Sequence, residues 1–188
     1  MPRIERLPAR RAGLLTKLAY RYARRRFGAV PDPMAVLAHH RGLLLASCAA
    51  ELAVDRAARA LPASLRELAV FRTATRIGCS WCVDFGTMLQ RNAGLDVARL
   101  REIDEYRTSP RFSELDGLVI EYADAMTELP VRVTDAQVAE LDRRLGHRGL
   151  LELTYLIALE NQRTRLNHAL DLTAQGFTSG EACRVPMP

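Results

Sequence analysis

Two cysteines three residues apart, Cys79 and Cys82, are the side chains of this chain best suited to chemistry. CxxC spacing lets two sulfurs meet across one helical turn and close an intramolecular disulfide. A sulfenic acid or mixed disulfide on one sulfur can then be resolved by the other. The surrounding stretch Ile77-Gly78-Cys79-Ser80-Trp81-Cys82 adds a second feature. Gly78 ends one helix and permits a turn. The next helix is expected to start at about Cys79 or Ser80, where unpaired N–H groups favour a thiolate. Glu67 precedes the pair in a Glu-x11-Cys-x-x-Cys pattern. The helices on either side of Gly78 should fold back on one another, so Glu67 can approach the thiols as a proton acceptor. Ser64-Leu65-Arg66-Glu67 also has capping-box spacing, which would turn the carboxylate towards the start of its own helix.

A redox pair is the leading reading of the CxxC, ahead of an inert buried pair and of half a zinc site. Zinc needs a second ligand pair at short spacing, and His39, His40, Cys48, His147, His168 and Cys183 do not form one. No metal is therefore expected, and without a P-loop or GxGxxG no nucleotide or flavin is either. Arg72 and Arg76 are candidates to stabilise a thiolate by charge. Trp81, between the cysteines, could shield them or wall a substrate pocket. Cys48 reads as a small buried residue in an Ala/Leu run, and Cys183 as an exposed tail thiol.

The elements that must hold these residues are helical throughout. Of 188 residues, 48% are hydrophobic, 26% charged and only 6% aromatic, with Ala, Leu and Arg abundant and β-branched runs absent. That describes one all-α globular domain. Helical periodicity covers roughly Ala9 to Phe27, with Leu14, Leu15, Leu18, Ala19 and Tyr22 on one face and arginines on the other. This basic, amphipathic extension over residues 1–33 suits a peripheral helix packed on the domain or on a partner subunit. A membrane surface is the lesser option for it. A helical run from Pro33 to about Ala60 comes next, then a helix from Ser64 to Ile77 and one from the cysteines to Ala93. Asp96 caps a short helix to Ile103. Ser113 opens a helix ending before Pro130, Thr134-Gln137 forms a capping box closed off at Gly146, and a long helix spans about Arg148 to Ala174. The main domain is read as 34–177 and the tail as 178–188.

On the last helix Glu160, Thr164, Asn167, His168 and Asp171 recur at three- and four-residue steps. A hydrogen-bonded or solvated outer face is the plain reading. The sharper one has His168 lining the thiol pocket.

Residues 67–96, ELAVFRTATRIGCSWCVDFGTMLQRNAGLD, resemble the core of the carboxymuconolactone decarboxylase/alkylhydroperoxidase D superfamily. The resemblance extends from about Met34 through Phe112–Leu145 to the closing ELTYLIALENQRTRLNHALDL. It implies an AhpD-like helical fold and a thiol-dependent, peroxiredoxin-type peroxidase or disulfide reductase. In that reading Cys82 attacks a hydroperoxide, Cys79 resolves it, Glu67 belongs to the proton relay, and an external dithiol recycles the pair. It also implies a homo-oligomer. The chain departs from the family at Trp81 and Gly86, where the relay has histidines. His168 is the candidate to replace them. Two other readings are a lactone-directed lyase using His168, Glu67 and arginines, and a non-catalytic oligomeric protein whose basic helix recruits an acidic partner.

The net charge of +5 fits a solvated basic surface better than nucleic-acid binding, for which no motif is present. No apolar run reaches membrane-spanning length, and the start has no continuous apolar segment, so a cytoplasmic protein is expected.

Overall fold

The computed structural model describes residues 2–178, and Cys183 lies outside the described residues. Among these there is no β-strand. The helices are α1 (Leu14–Phe27), α2 (Asp32–Leu37), α3 (Arg41–Ala57), α4 (Ala63–Ile77), α5 (Ser80–Asn92), α6 (Glu114–Thr127) and α7 (Asp135–Ala169). Short 3-10 segments lie at Ala9–Arg11 and Ala98–Glu105.

α4 is the centre of the fold, packing on α5, α6 and α7. Its buried stripe of Leu65, Leu68, Ala69 and Phe71 serves two adjoining cores. One core joins α4 to α5, α6 and the second 3-10 segment, and it contains both Cys79 and Cys82. The other joins α4 to α6 and α7 through Val119, Ala123, Leu141, Leu153 and Ile157. A smaller cluster of Tyr20, Ala35, Ala38 and Leu44 ties α1 to α2 and α3.

Local sequence explains most of the boundaries. Ser113 and Asp116 form a capping box on α6, and Thr134 and Gln137 form one on α7. Gly146 has φ 69° and ψ 164°, a conformation only glycine adopts easily, and it kinks α7 at the point expected to close a helix. α4 ends at Gly78, whose φ of 84° is the left-handed C-cap geometry.

Four expectations are corrected. Ser64 is not an N-cap, because α4 already begins at Ala63 behind Pro62 and carries no side-chain cap. The capping box that would have occupied Glu67 therefore does not form. The Pro33–Ala60 run is two helices broken at His39-His40, which the structure uses to make the joint. The His39 ring bonds the Glu5 carbonyl at 2.8 Å, and His40 Nδ1 accepts the Leu43 N–H at 3.2 Å to cap α3. α1 buries Thr16, Tyr20 and Ala23 and leaves Leu14, Leu15, Leu18 and Tyr22 exposed, so its leucine stripe does not pack on its own domain. The last helix stops at Ala169, with Asp171 just beyond it at φ 53°.

Beyond α7 the chain runs as a strap that bends at residues 176–178 and is bound to α5. Asp84, only 1% exposed, gathers it. Its Oδ2 accepts the backbone N–H groups of Gln175, Gly176 and Phe177 at 2.8–3.0 Å. Its Oδ1 accepts the N–H and hydroxyl of Thr178 at 2.9 and 2.8 Å. Thr178, taken from the sequence as the first tail residue, is thus buried and bonded. Burial alone would push the Asp84 carboxyl up, but the hydrogen bonds from Phe177, Thr178 and Gly176 outweigh it and hold the pKa below the usual carboxylate value.

Asp84→Ala removes the acceptor for four backbone N–H groups at once. It should cost about 3 kcal/mol or more, lowering Tm by roughly 6–12 °C for a domain of this size. For Asp84→Asn the pH dependence is diagnostic. A depressed carboxyl stabilises the fold above its unfolded pKa, and that stability is lost as pH falls through the folded value. The Tm gap to the natural chain should therefore be full at pH 6 and close below about pH 4. Thermal melts across that range check it.

Candidate redox site

Cys79 and Cys82 are joined in a disulfide with a Cα–Cα distance of 5.3 Å. The turn at Gly78 places Cys79 at the N-cap of α5, where its Sγ accepts the Cys82 N–H at 3.2 Å. Both sulfurs therefore lie against the positive end of a helix, as the sequence suggested. They are buried, Cys79 at 2% exposure and Cys82 at 8%, so Cys82 is the nearer to solvent.

The side chain that meets the sulfurs is Asn167. Its Nδ2 donates to Cys82 Sγ at 3.4 Å and lies 3.9 Å from Cys79 Sγ, and the residue is 2% exposed. The polar stripe of α7 is an inward face here, with Glu160, Thr164 and Asn167 all buried. His168, the next residue after Asn167, points away and is exposed. The structure does not bring it to the pair. The spacing contained both candidates, and only the way α7 packs chooses between them.

Glu67 is turned to the same α7 face but further from the sulfurs. At about 1.5 Å per residue, α4 carries it roughly 15 Å from Ile77 along the helix axis. It joins Glu160 and Glu51 around Arg163, which bonds Glu51 through Nε at 2.8 Å and through Nη2, and Glu160 through Nη1 at 3.1 Å. Burial pushes the Glu67 carboxyl up against the pull of Arg66 and Arg163. Burial also raises Glu160, to about 7, although Arg163 pulls it down. Glu160 thus loses or gains a proton near neutral pH within two helical turns of Asn167.

Arg72 and Arg76 are engaged elsewhere. Arg72 holds Asp124 at 2.6 and 2.8 Å and Asp104 at 2.7 Å, and Arg76 lies 3.4 Å from Asp124. Trp81 is 9% exposed, stacks on Phe85 at 4.7 Å and donates its indole N–H to Gln175 of the strap at 3.3 Å. A side chain added at Gly86 would meet open space, so the missing histidine is not replaced there by a neighbour. Cys48 is half-buried and free, beside the α1–α3 cluster. Among the described residues no group of three or more His, Cys, Asp or Glu side chains could hold a metal ion, and no helix is long and apolar enough to cross a membrane.

The described residues thus form an all-helical subunit whose central hairpin presents a disulfide-bonded CxxC at a helix N-terminus. No family model matches the chain, but its relatives do. It is 35% identical over 133 residues to the uncharacterized protein YnjA of Escherichia coli, covering 71% of this chain and 70% of that one. It is 36% identical over 91 residues to an alkyl hydroperoxide reductase of Mycobacterium tuberculosis, a match spanning 48% of this chain and 26% of that longer protein. Similar solved structures include a debrominase in its apo form (TM-score 0.78, 17% identity, 90% of each chain). A peroxidase-related protein from Silicibacter also matches (TM-score 0.73, 18% identity, 90% of this chain and 87% of that one). The chain belongs to one family with YnjA, and its fold is the AhpD-like helical fold.

Because the Glu160 carboxyl is raised by burial, its contribution to stability is complete below the unfolded carboxyl pKa of 4.5 and is lost as pH rises through about 7. Glu160→Gln should therefore gain in Tm relative to the natural chain as pH goes from 5 to 8, by a few degrees. Paired thermal melts at these pH values decide it. A gap that does not change with pH would show that Glu160 stays ionised throughout.

Proposed function

We propose that the protein is a thiol-dependent oxidoreductase that reduces hydroperoxides, or protein or small-molecule disulfides, through Cys79 and Cys82. The observation that carries this reading is the closed Cys79–Cys82 disulfide at the N-terminus of α5. The hydroperoxide substrate is supported by the mycobacterial alkyl hydroperoxide reductase among the relatives.

In the first step the Cys82 thiolate attacks one oxygen of the hydroperoxide. The O–O bond breaks, the alkoxide leaves as alcohol after taking a proton, and Cys82 becomes a sulfenic acid. Cys79 then attacks Cys82 Sγ. The S–S bond forms, and the sulfenic hydroxyl leaves as water by taking up the proton that the Cys79 thiol gives up. An external dithiol closes the cycle by thiol–disulfide exchange, returning two thiols and leaving as its own disulfide. Cys82 is assigned the peroxidatic role, in keeping with its greater exposure, and Cys79 the resolving one. Glu67 is assigned a place as proton acceptor, acting through the buried face of α7 where it shares a field with Glu160. The lyase reading relied on His168, which is exposed and apart from Glu67.

The same reading includes a homo-oligomer. α3 buries only Leu44 and leaves Leu43, Leu45 and Leu52 exposed, and α7 exposes Leu151, Tyr155 and Leu166. Apolar side chains of this size on neighbouring helices suit a subunit contact.

The reduced protein should consume a stoichiometric hydroperoxide and lose two thiols, with the new disulfide mapped by mass to Cys79–Cys82. Cys82→Ser should abolish consumption. Cys79→Ser should still react once and leave a trappable sulfenic acid at Cys82. If both thiols of the natural chain survive the peroxide, while a dithiol still exchanges with the disulfide, the peroxidase half falls and the reductase half stands.

A further inference from the structure

The sulfurs are held among apolar side chains, which disfavours a thiolate. Charged groups on the elements packed around them have other partners. On α5, Asp84 is bound by the strap. On α4, Arg72 is neutralised by Asp104 and Asp124, and Glu67 faces the Arg163 cluster. On α7, Glu160 is paired with Arg163. From the 3-10 segment, Tyr106 is bonded to Glu121 at 3.1 Å and its pKa is pushed up to about 12 by burial, so it is neutral. Thiolate stabilisation must then come from dipoles. The α5 N-terminus supplies one, directed at Cys79 through the Cys82 N–H.

We propose that Asn167 is a catalytic residue of the redox pair, its buried side-chain amide serving as the N–H donor that stabilises the Cys82 thiolate in place of the family's relay histidines. This rests on the reading of Cys79 and Cys82 as a working redox pair. The geometry is selective, at 3.4 Å from Cys82 against 3.9 Å from Cys79. It is also rigid. The Asn167 carbonyl accepts the N–H groups of Leu170 and Leu172 at 3.2 and 2.9 Å, which fixes the residue at the very end of α7. A disulfide sulfur is a weak acceptor and a thiolate a strong one. The donor therefore gains most of its strength only when the pair is reduced and Cys82 is ionised, which is the differential stabilisation a catalytic group needs. An amide cannot carry a proton, so Asn167 lowers the cost of the charge without replacing the histidines as a relay.

The test uses the full chain, reduced, with peptide mass mapping of iodoacetamide alkylation against pH to give the pKa of each cysteine separately. Asn167→Leu should raise the Cys82 pKa by about one unit or more, slowing its alkylation at pH 7 roughly tenfold, with a smaller change at Cys79. Asn167→Asp, isosteric with the natural side chain, should raise it further by placing a carboxylate against the sulfur. It also serves as the measurement should the leucine variant not fold, with Trp81 emission reporting the fold of each. In equilibrium with a dithiol at pH 8, both variants should shift towards the disulfide. A Cys82 pKa unchanged or lowered in Asn167→Asp overturns the proposal. The peroxide assay on the natural chain is independent of this result, so a failure of the peroxidase reading and a failure of the Asn167 role are separately visible.

Discussion

The Asp84 carboxylate is the point on which the site depends. Five donors from residues 175–178 converge on its two oxygens, three residues along α5 from Trp81 of the CxxC. α5 and α7 both pack on α4, and the strap adds a further tie between them. Three further bonds tie the strap down. Ala174 donates to Ser80 Oγ, and Gln175 receives the Trp81 indole while its own amide reaches the Val30 carbonyl. Through these contacts a carboxylate one turn past Ser80 ties α5, which carries the sulfurs, to the chain that follows Asn167 on α7. A buried charge is costly unless its hydrogen-bonding capacity is filled, and here it is filled by otherwise orphaned strap N–H groups. Each side of the contact needs the other.

The second constraint is that the protein's inward-facing arginines are already neutralised. Arg72 serves two aspartates and Arg163 two glutamates, with Glu67 close by. In a buried setting such clusters act as cross-links between helices: Arg163 ties α7 to α3 through Glu51, and Arg72 ties α4 to α6 and to the 3-10 segment. Neither arginine is left with charge to offer a thiolate. Burial raises the Glu160 pKa to about 7 against the pull of Arg163, with Glu51 and Glu67 adding to the rise. The division of labour in the interior is therefore charge for architecture and dipoles for the sulfurs.

Much of this was legible in the sequence, because it is local. The α4–Gly78–α5 joint needs one left-handed residue between two helical runs, and only Gly78 supplies it. The capping boxes at Ser113 and Thr134 are set by residues three apart. The Glu-x11-CxxC pattern carried both the family and the cysteine pair. What the sequence could not settle depends on which face of a helix another helix covers. Asn167 and His168 are about 100° apart on α7 and fit the same polar periodicity equally well. α1 offered a leucine stripe, yet it packs through Thr16, Tyr20 and Ala23. The small Ala23 and Thr16 allow close approach, and the Tyr20 hydroxyl reaches the Leu7 carbonyl at 2.9 Å. Ser64 has the residue type and spacing of a cap, but Pro62 had already started the helix one residue earlier. The strap has no periodicity at all, and its partner, Asp84, reads from sequence as just another polar residue of α5.

The substitutions at Trp81 and Gly86 make sense within this arrangement. A histidine at position 81 would have to give up the stack on Phe85 and the bond to Gln175 that help fix the strap. At position 86 a side chain would start out into open space. The carboxyl on the buried α7 face whose pKa is raised is that of Glu160, two helical turns before Asn167. It is not a base in contact with the sulfurs, whose polar side-chain partner is Asn167. In the proposed cycle such a site favours steps in which the incoming group brings or removes its own proton, as a dithiol does in exchange. It serves less well where an alkoxide must be protonated at the moment the O–O bond breaks. The architecture thus weights the proposed chemistry towards disulfide exchange, with peroxide reduction as the slower of the two half-reactions.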